Sequence, residues 1–354
     1  DARRAAEAEE AIAAARALGD GRGLAEALAD AHLGLWAPDK LDTCLALIDE
    51  LQGLLEEAGA REAGLPSLLR AADLRLAAGD VAGSWEVDER AERLAERHRD
   101  ARGRAIVRLH HARRALLEGR FAAMDALHAD ALGIAVWLRD SPVPMIVGGQ
   151  SFSRRRLQGG LADLEATVRA AADGLPAMPV WRAALAALVL DLGREEEAAE
   201  QAQRLLAPGL DAIPRNDSWL MALGVLGEVV ARTGVDGATE LRATLEPHAG
   251  RLMISAGGTH AGMVSRTLAL LDHAVGDPEA ALARLAETQQ AAAAAGAAPD
   301  RVLARADEVA LRHAAGEDVG ELRAAALEAA ARLGMTPVAE RLERLDAPVR
   351  RTAL

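Results

Sequence analysis

The sequence predicts an all-α fold, a right-handed superhelix of about eight antiparallel helix pairs of the tetratricopeptide kind, and three observations carry that reading. The first is composition. Hydrophobic residues make up 51% of the 354 but aromatic ones only 2%, so any core must be built from Ala, Leu and Val. Ala and Leu are strong helix formers, while the aromatic residues that strands favour are scarce. The second is a recurring turn. Glycines at Gly79, Gly119, Gly159, Gly193, Gly234, Gly276 and Gly316 stand 40, 40, 34, 41, 42 and 40 residues apart, and Pro38-Asp39 supplies an earlier one. The third is phase. Seven residues before each glycine stand Ala72, Ala112, Phe152, Ala186, Gly227, Ala269 and Val309, mostly small side chains that let a neighbouring helix approach within each pair.

Each element follows from these marks. Gly at a helix end supplies a left-handed cap, and the Asp, Ser or Pro after it restarts a helix. A second set of breaks falls between pairs, at Gly19-Asp20, Gly59-Ala60, Arg99-Asp100, 139–144, 174–179, 214–217, the glycine-rich 250–262, 296–300 and 334–337. Pairs are therefore expected at about 23–58, 64–98, 101–139, 143–173, 179–207, 216–248, 259–295 and 299–333. Residues 1–18 read as the second helix of a preceding repeat, 19–335 as the repeat domain, and 336–354 as a short C-terminal helix and tail. The unfinished first pair and the absence of a leading methionine suggest a segment of a longer protein. In such arrays each unit touches its neighbours, and the first helices of the pairs line a concave trough rather than an enclosed chamber.

Charge narrows the partners. The net charge is −13, with no block of one sign, which argues against direct contact with nucleic acid. No window approaches the ~20 apolar residues of a membrane span. Cys44 is the only cysteine, so disulfides and thiolate zinc sites drop out and a reducing, cytoplasmic setting fits. Lys40 is the only lysine, which rules out a GxxxxGK[ST] phosphate loop within this sequence.

The succession Leu116-Leu117-Glu118-Gly119-Arg120-Phe121, Arg155-Arg156-Leu157-Gln158-Gly159-Gly160-Leu161, Pro179-Val180-Trp181-Arg182-Ala183-Ala184-Leu185 and Trp219-Leu220 resembles one known arrangement. It is similar to the C-terminal tetratricopeptide-like region of large actinobacterial ATP-binding transcriptional regulators, the LuxR-like, antibiotic-regulator-like and cyclase-fused signalling ATPases. The likeness runs over roughly 20 to 345, with Arg154 where that family commonly has an apolar residue and Gly160 where it has Arg. It implies a sensory or interaction module that receives an effector ligand or protein partner, the ATPase portion of the same polypeptide among the candidates.

Few residues suggest chemistry. His110-His111 is the nearest approach to a metal pair, but adjacent helical residues point about 100° apart; the plainer reading is one half-buried and one solvated histidine. The stretch Gly257 to Gly262, with Thr259 and His260, reads either as an anion cradle at a helix start or as an interrepeat loop with Thr259 as N-cap. Three arginines, Arg154 to Arg156, follow Gln150 and cover most of a helix circumference, so at least one turns toward the core or groove. It does so in a structural ion pair or in contact with an anion or acidic partner. Trp181 and Trp219 fall near the starts of first helices, and Trp85 and Trp137 on second helices; all read as core anchors unless exposed, when they would be recognition points. The groove candidates are therefore His111, Gln150, Arg154, Arg155, Trp181, Trp219, Thr259 and His260. The leading expectation is a non-catalytic binding module without cofactor or metal. An oligomerisation scaffold comes second, and an enzyme using His111, Arg154 and His260 a distant third.

Overall fold

The computed structural model describes residues 2–19, 21–34, 38–57, 64–255 and 258–345; the expected break at Gly59-Ala60, Gly257 of the glycine-rich stretch and the tail beyond 345 lie outside the described residues. The fold is predominantly helical. The first half runs through α1 (Ala2–Leu18), α2 (Gly21–Gly34), α3 (Leu41–Glu57), α4 (Leu65–Ala77), α5 (Val81–Arg97), α6 (Ala101–Glu118), α7 (Phe121–Ala135), α8 (Val143–Gln158) and α9 (Glu165–Gly174). It continues through α10 (Pro179–Asp191), α11 (Glu195–Leu206), α12 (Trp219–Thr233) and α13 (Ala238–Leu245). After a short hairpin come α14 (Val264–Ala274), α15 (Pro278–Ala294), α16 (Ala298–Ala314), α17 (Gly320–Arg332) and α18 (Thr336–Arg344). Most helices pack against the next in sequence.

The turn glycines act as the spacing requires. All seven, from Gly79 to Gly316, have φ between 70° and 96°, a backbone that side-chain-bearing residues rarely adopt. At the intervening turns Arg99 and Asp140 take the same conformation at φ 52°. Asp80, Asp100 and Asp277 then cap the following helices, each accepting from the backbone N–H three residues on at 2.9 to 3.0 Å. A lost cap of this kind costs about 1 kcal/mol. Six of the seven residues seven positions before the glycines are buried, Phe152 being the partly exposed one. Their contacts run both within and between pairs. The Ser84 hydroxyl on α5 donates to the Ala72 carbonyl at 2.7 Å, whereas a Cβ at Gly227 would stand 2.7 Å from Thr267 Cγ2 on α14.

The structure corrects two expectations. The stretch assigned to an interrepeat loop and the first turns of a helix is an antiparallel hairpin, β1 (Leu252–Ser255) and β2 (Thr259–Met263), with an irregular register between Leu252 and Ile254. Thr259 is thus a strand residue and caps nothing; α14 starts only after Met263. Leu252 and Ile254 join one apolar cluster and Met253 between them joins another, so β1 is buried on both faces.

The second correction concerns contacts. Units do not touch only their neighbours: α6 packs on α16, α8 on α18 and on β2, and α4 on β1. Gln158 Nε2 donates to the Leu333 carbonyl at 3.2 Å, and Leu157 and Leu333 join the apolar cluster around Phe121 and Met124. The hairpin residues Leu252, Ile254 and Met263 share a core with Leu74, Leu76 and Ala297, joining early helices to late ones. The array returns on itself around the hairpin.

Candidate functional site

That return forms a cavity of about 430 Å³ that opens to solvent on one side, where Met145 is 54% exposed. Its walls come from α8, α10, α12, α14, α16, α18 and β2. Apolar residues line most of it: Ile146 and Phe152 on α8, Trp181 and Ala184 on α10, Met221 and Val225 on α12, Leu303 on α16. Glycine makes room at one wall, since a Cβ at Gly149 would stand 2.7 Å from Thr259 Oγ1 across the α8–β2 contact.

One side of the cavity is ionic. Arg156 on α8 reaches Asp191 on α10 at 2.7 Å and Glu228 on α12 at 3.2 Å. Arg266 on α14 reaches Glu228 at 3.6 Å and Asp307 on α16 at 2.7 Å, and Arg341 on α18 reaches Asp307 at 2.8 Å. Six helices that are not consecutive in sequence are thereby joined by one chain of alternating charge. At Arg156, Arg266 and Glu228 burial works against charge, yet the partners outweigh it. Asp191 and Glu228 hold Arg156 above the usual arginine range, and Asp307 and Glu228 do the same for Arg266. Glu228, faced by Arg156, Arg266 and Arg232, lies well below the usual carboxylate range. Arg156, Arg266 and Glu228 therefore stay ionised.

On the wall beside it, His260 Nε2 donates to Asp300 Oδ2 at 2.9 Å, and both residues are buried. That bond fixes the ring proton on Nε2. His260 Nδ1, Trp181 Nε1 and Arg341 Nη2 are buried and have no hydrogen-bond partner among the described residues.

A second ionic cluster lies on α4, α5 and α6. Arg113, wholly buried, donates to Asp73 and at 3.5 Å to Asp88, while His110 Nδ1 stands 2.7 Å from Asp88 Oδ1. Burial opposes the Asp88 charge, but His110 and then Arg113 keep its carboxyl below its ordinary value. Gln150 clasps this region to the hairpin. Its amide donates to the Leu109 carbonyl at 2.9 Å and the Gly258 carbonyl at 2.7 Å and accepts from His128 Nε2 at 2.7 Å.

The predicted site residues divide accordingly. Trp181, Thr259 and His260 come together on the cavity wall. Gln150 is a buried clasp rather than a groove residue, and Trp219, 3% exposed, is a core anchor packed edge-on against His248 at 5.6 Å. Arg154 pairs with Asp125 at 3.6 Å and Arg155 with Asp163 at 3.1 Å, both away from the cavity; Arg156, the third of the triplet, is the one that enters it. His111 sits 3.8 Å from Glu92 and outside the cavity, and its neighbour His110 is fully buried rather than half-buried. Thr259 and His260 lie in a strand, so the anion cradle at a helix start does not exist. Trp137, expected in the core, is 86% exposed just past the end of α7. Sequence reasoning passed over Asp191, Glu228, Arg266, Asp300, Asp307 and Arg341.

Among the described residues no group of three or more His, Cys, Asp or Glu side chains could hold a metal ion, and no helix is long and apolar enough to cross a membrane. No protein-family model matches the chain, and no curated protein matches it either.

Proposed function

We propose that this chain is a sensory module that binds a small effector in the internal cavity and passes the event along its helices. The observation that carries the reading is the coincidence of cavity and ion chain: the same six helices that line the space are tied to one another by Arg156, Glu228, Arg266, Asp307 and their partners. A molecule seated there touches helices from distant parts of the sequence at once. Its volume falls within the roughly 300–1,000 Å³ of small-molecule sites. On this reading the helix pairs form a right-handed superhelix, about eight pairs long, closed tightly enough around the hairpin to turn the expected trough into a pocket. The module is non-catalytic and serves a larger regulatory protein, as the resemblance to signalling ATPases implies. A ligand that binds the closed form better than a looser one shifts the population by that difference in affinity, and the ATPase portion would sense the shift.

Thermal-shift screening of a small-molecule collection against the wild type and Ala184→Phe tests this. Ala184 stands on the wall, and a phenyl ring there occupies the space. Ligands at a hundredfold their Kd stabilise by about 2.7 kcal/mol, so true hits raise the wild-type Tm and leave the filled variant unmoved. A collection in which every hit acts equally on both proteins would remove the cavity from the function.

A second reading, an oligomerisation scaffold, is favoured by one observation. Val136 and Trp137 stand 77% and 86% exposed at the end of α7, the kind of apolar side chains that association buries.

A further inference from the structure

We infer that the end of the array where α5 turns into α6 and α7 into α8 is a docking surface for an acidic segment of a partner protein that also carries large apolar side chains. The inference stands apart from the cavity and does not depend on it.

Three observations lead to it. The first is a local reversal of charge. The chain holds 54 acidic and 41 basic residues, yet the stretch 93–104 carries Arg93, Arg97, Arg99, Arg102 and Arg104 against only Glu96 and Asp100. All five arginines are exposed, and so is Arg139 after α7. Asp100 is already committed, since its carboxylate accepts from the Gly103 N–H as the cap of α6. Arg97, Arg99, Arg104 and Arg139 have no ion-pair partner among the described residues. Exposed arginines elsewhere do meet acids, Arg16 with Glu50 and Arg120 with Glu118.

The second is placement. Arg108 on α6 bridges Glu92 on α5 at 2.6 Å and Asp130 on α7 at 2.8 Å, so the three helices share one face. Arg104 stands on that face one helical turn nearer the α5–α6 turn. Arg102 Nη2 donates to the Arg139 carbonyl at 3.0 Å, which sets the α5–α6 turn beside the chain leaving α7. That chain exposes Leu132, Val136 and Trp137, at 37%, 77% and 86%. An exposed indole ringed by arginines combines the two residue types that most often carry binding energy at protein interfaces.

The third is what can cover such a surface. A second copy docked through the same patch by two-fold symmetry would set these arginines against themselves, and like charges in contact are unfavourable. A nucleic acid or an anionic bilayer is negative throughout, and Glu96, Asp140 and the net charge of −13 stand against it. A peptide can place carboxylates at the arginines, leave those two acids uncovered and lay an apolar side chain on Trp137.

The test uses the full chain and a fluorescein-labelled random copolymer of Glu and Tyr, read by fluorescence anisotropy. Polyglutamate, oligothymidylate and vesicles of phosphatidylserine and phosphatidylcholine are the comparison probes. We expect the Glu–Tyr copolymer to bind most tightly and to weaken as salt is added. Arg102→Glu with Arg139→Glu should weaken it at least about tenfold, and Trp137→Ala by about fivefold or more. Arg204→Glu with Arg301→Glu makes the same change in net charge at exposed positions on α11 and α16, and should weaken it by less than about threefold. Each variant is checked for an unchanged melting transition, and Trp137→Ala serves as the arbiter if the charge reversals disturb folding. The inference is overturned if the copolymer does not bind, if the control pair weakens binding as much as the patch pair, or if Trp137→Ala has no effect. It is equally overturned if polyglutamate, oligothymidylate or the vesicles bind as tightly as the copolymer, or if light scattering shows the patch buried between copies of the chain. None of these results bears on ligand binding in the cavity, which the thermal-shift screen decides by itself.

Discussion

The two ionic clusters make the most instructive contrast in the molecule. Both are built from charged residues placed on helices that face inward, and both link side chains some 40 positions apart, Asp73 with Arg113 in one and Arg266 with Asp307 in the other. Around Arg113 the space is full: Gln150 and Gly258 of the hairpin turn close over α6, and Arg113 itself has no exposure. Around Arg156 and Glu228 the same kind of cluster lines a cavity instead. Inward charge of the same kind is thus sealed in one place and borders a space in the other.

The contrast predicts unequal tolerance. Arg113→Met leaves Asp73 and Asp88 buried without their arginine, so it should cost about 3–5 kcal/mol, the range for breaking a buried pair from one side. Glu228→Gln is expected to cost less, on the order of 1–3 kcal/mol, because Arg156 keeps Asp191 and Arg266 keeps Asp307. Chemical denaturation of the two variants beside the wild type measures both. Equal losses, or the larger loss at Glu228, would mean that the cavity wall is as essential to the fold as the plugged side.

Acidification sharpens the comparison at the root of the hairpin, where the two regions join. His248 packs edge-on against Trp219 and precedes Arg251, whose guanidinium donates to the Pro38 carbonyl. Burial first, then Arg251 and Arg215, push its value down from 6.5 to about 4. The folded chain therefore refuses a proton that the unfolded chain accepts as pH drops below about 6.5, and it takes that proton only near pH 4. The stabilisation is full above this window and lost on descending through it, by about 3 kcal/mol in all. His248→Phe keeps the ring contact with Trp219 and should flatten the pH dependence of stability between 6.5 and 4, whatever it does to stability at neutral pH. A slope in that window unchanged by the substitution would move its cause elsewhere.

The helical architecture was legible because its signal is local and repeated. A positive φ at a helix end nearly demands glycine, and a period of about forty residues announces itself seven times over. The hairpin was not legible for the converse reason: its strands are four and five residues long, and their glycines read as loop. Closure of the array was invisible too, since Leu157 meeting Leu333 depends on small rotations summed over many units rather than on any single residue. The buried charges did leave a trace. Glu228 interrupts the run Trp219-Leu220-Met221-Ala222-Leu223-Gly224-Val225-Leu226-Gly227, and Asp73 sits in an Ala-Leu helix face; an acid within an apolar stretch asks for a buried arginine. Weighing Arg154 to Arg156 by which of them shares a face with such acids would have singled out Arg156.

The smallest expected effect lies farthest from both clusters, at Trp137. The side chain is 86% exposed beyond the last turn of α7, and Leu138, next to it, packs beside the Leu109 and Ile146 cluster in its stead. Removing an exposed ring takes nothing from the core, so Trp137→Ala should leave stability within about 0.5 kcal/mol of the wild type. Ligand binding in the cavity, read by the thermal-shift screen, should be unchanged as well, because Trp137 is not on its wall. Light scattering gives the variant its value. If the protein associates and Trp137→Ala alone shifts it toward monomer, then Val136 and Trp137 form a contact between copies and the scaffold reading gains a surface. If the association state is the same with and without the indole, the exposed ring does not join copies, and the scaffold reading loses the one surface that favoured it.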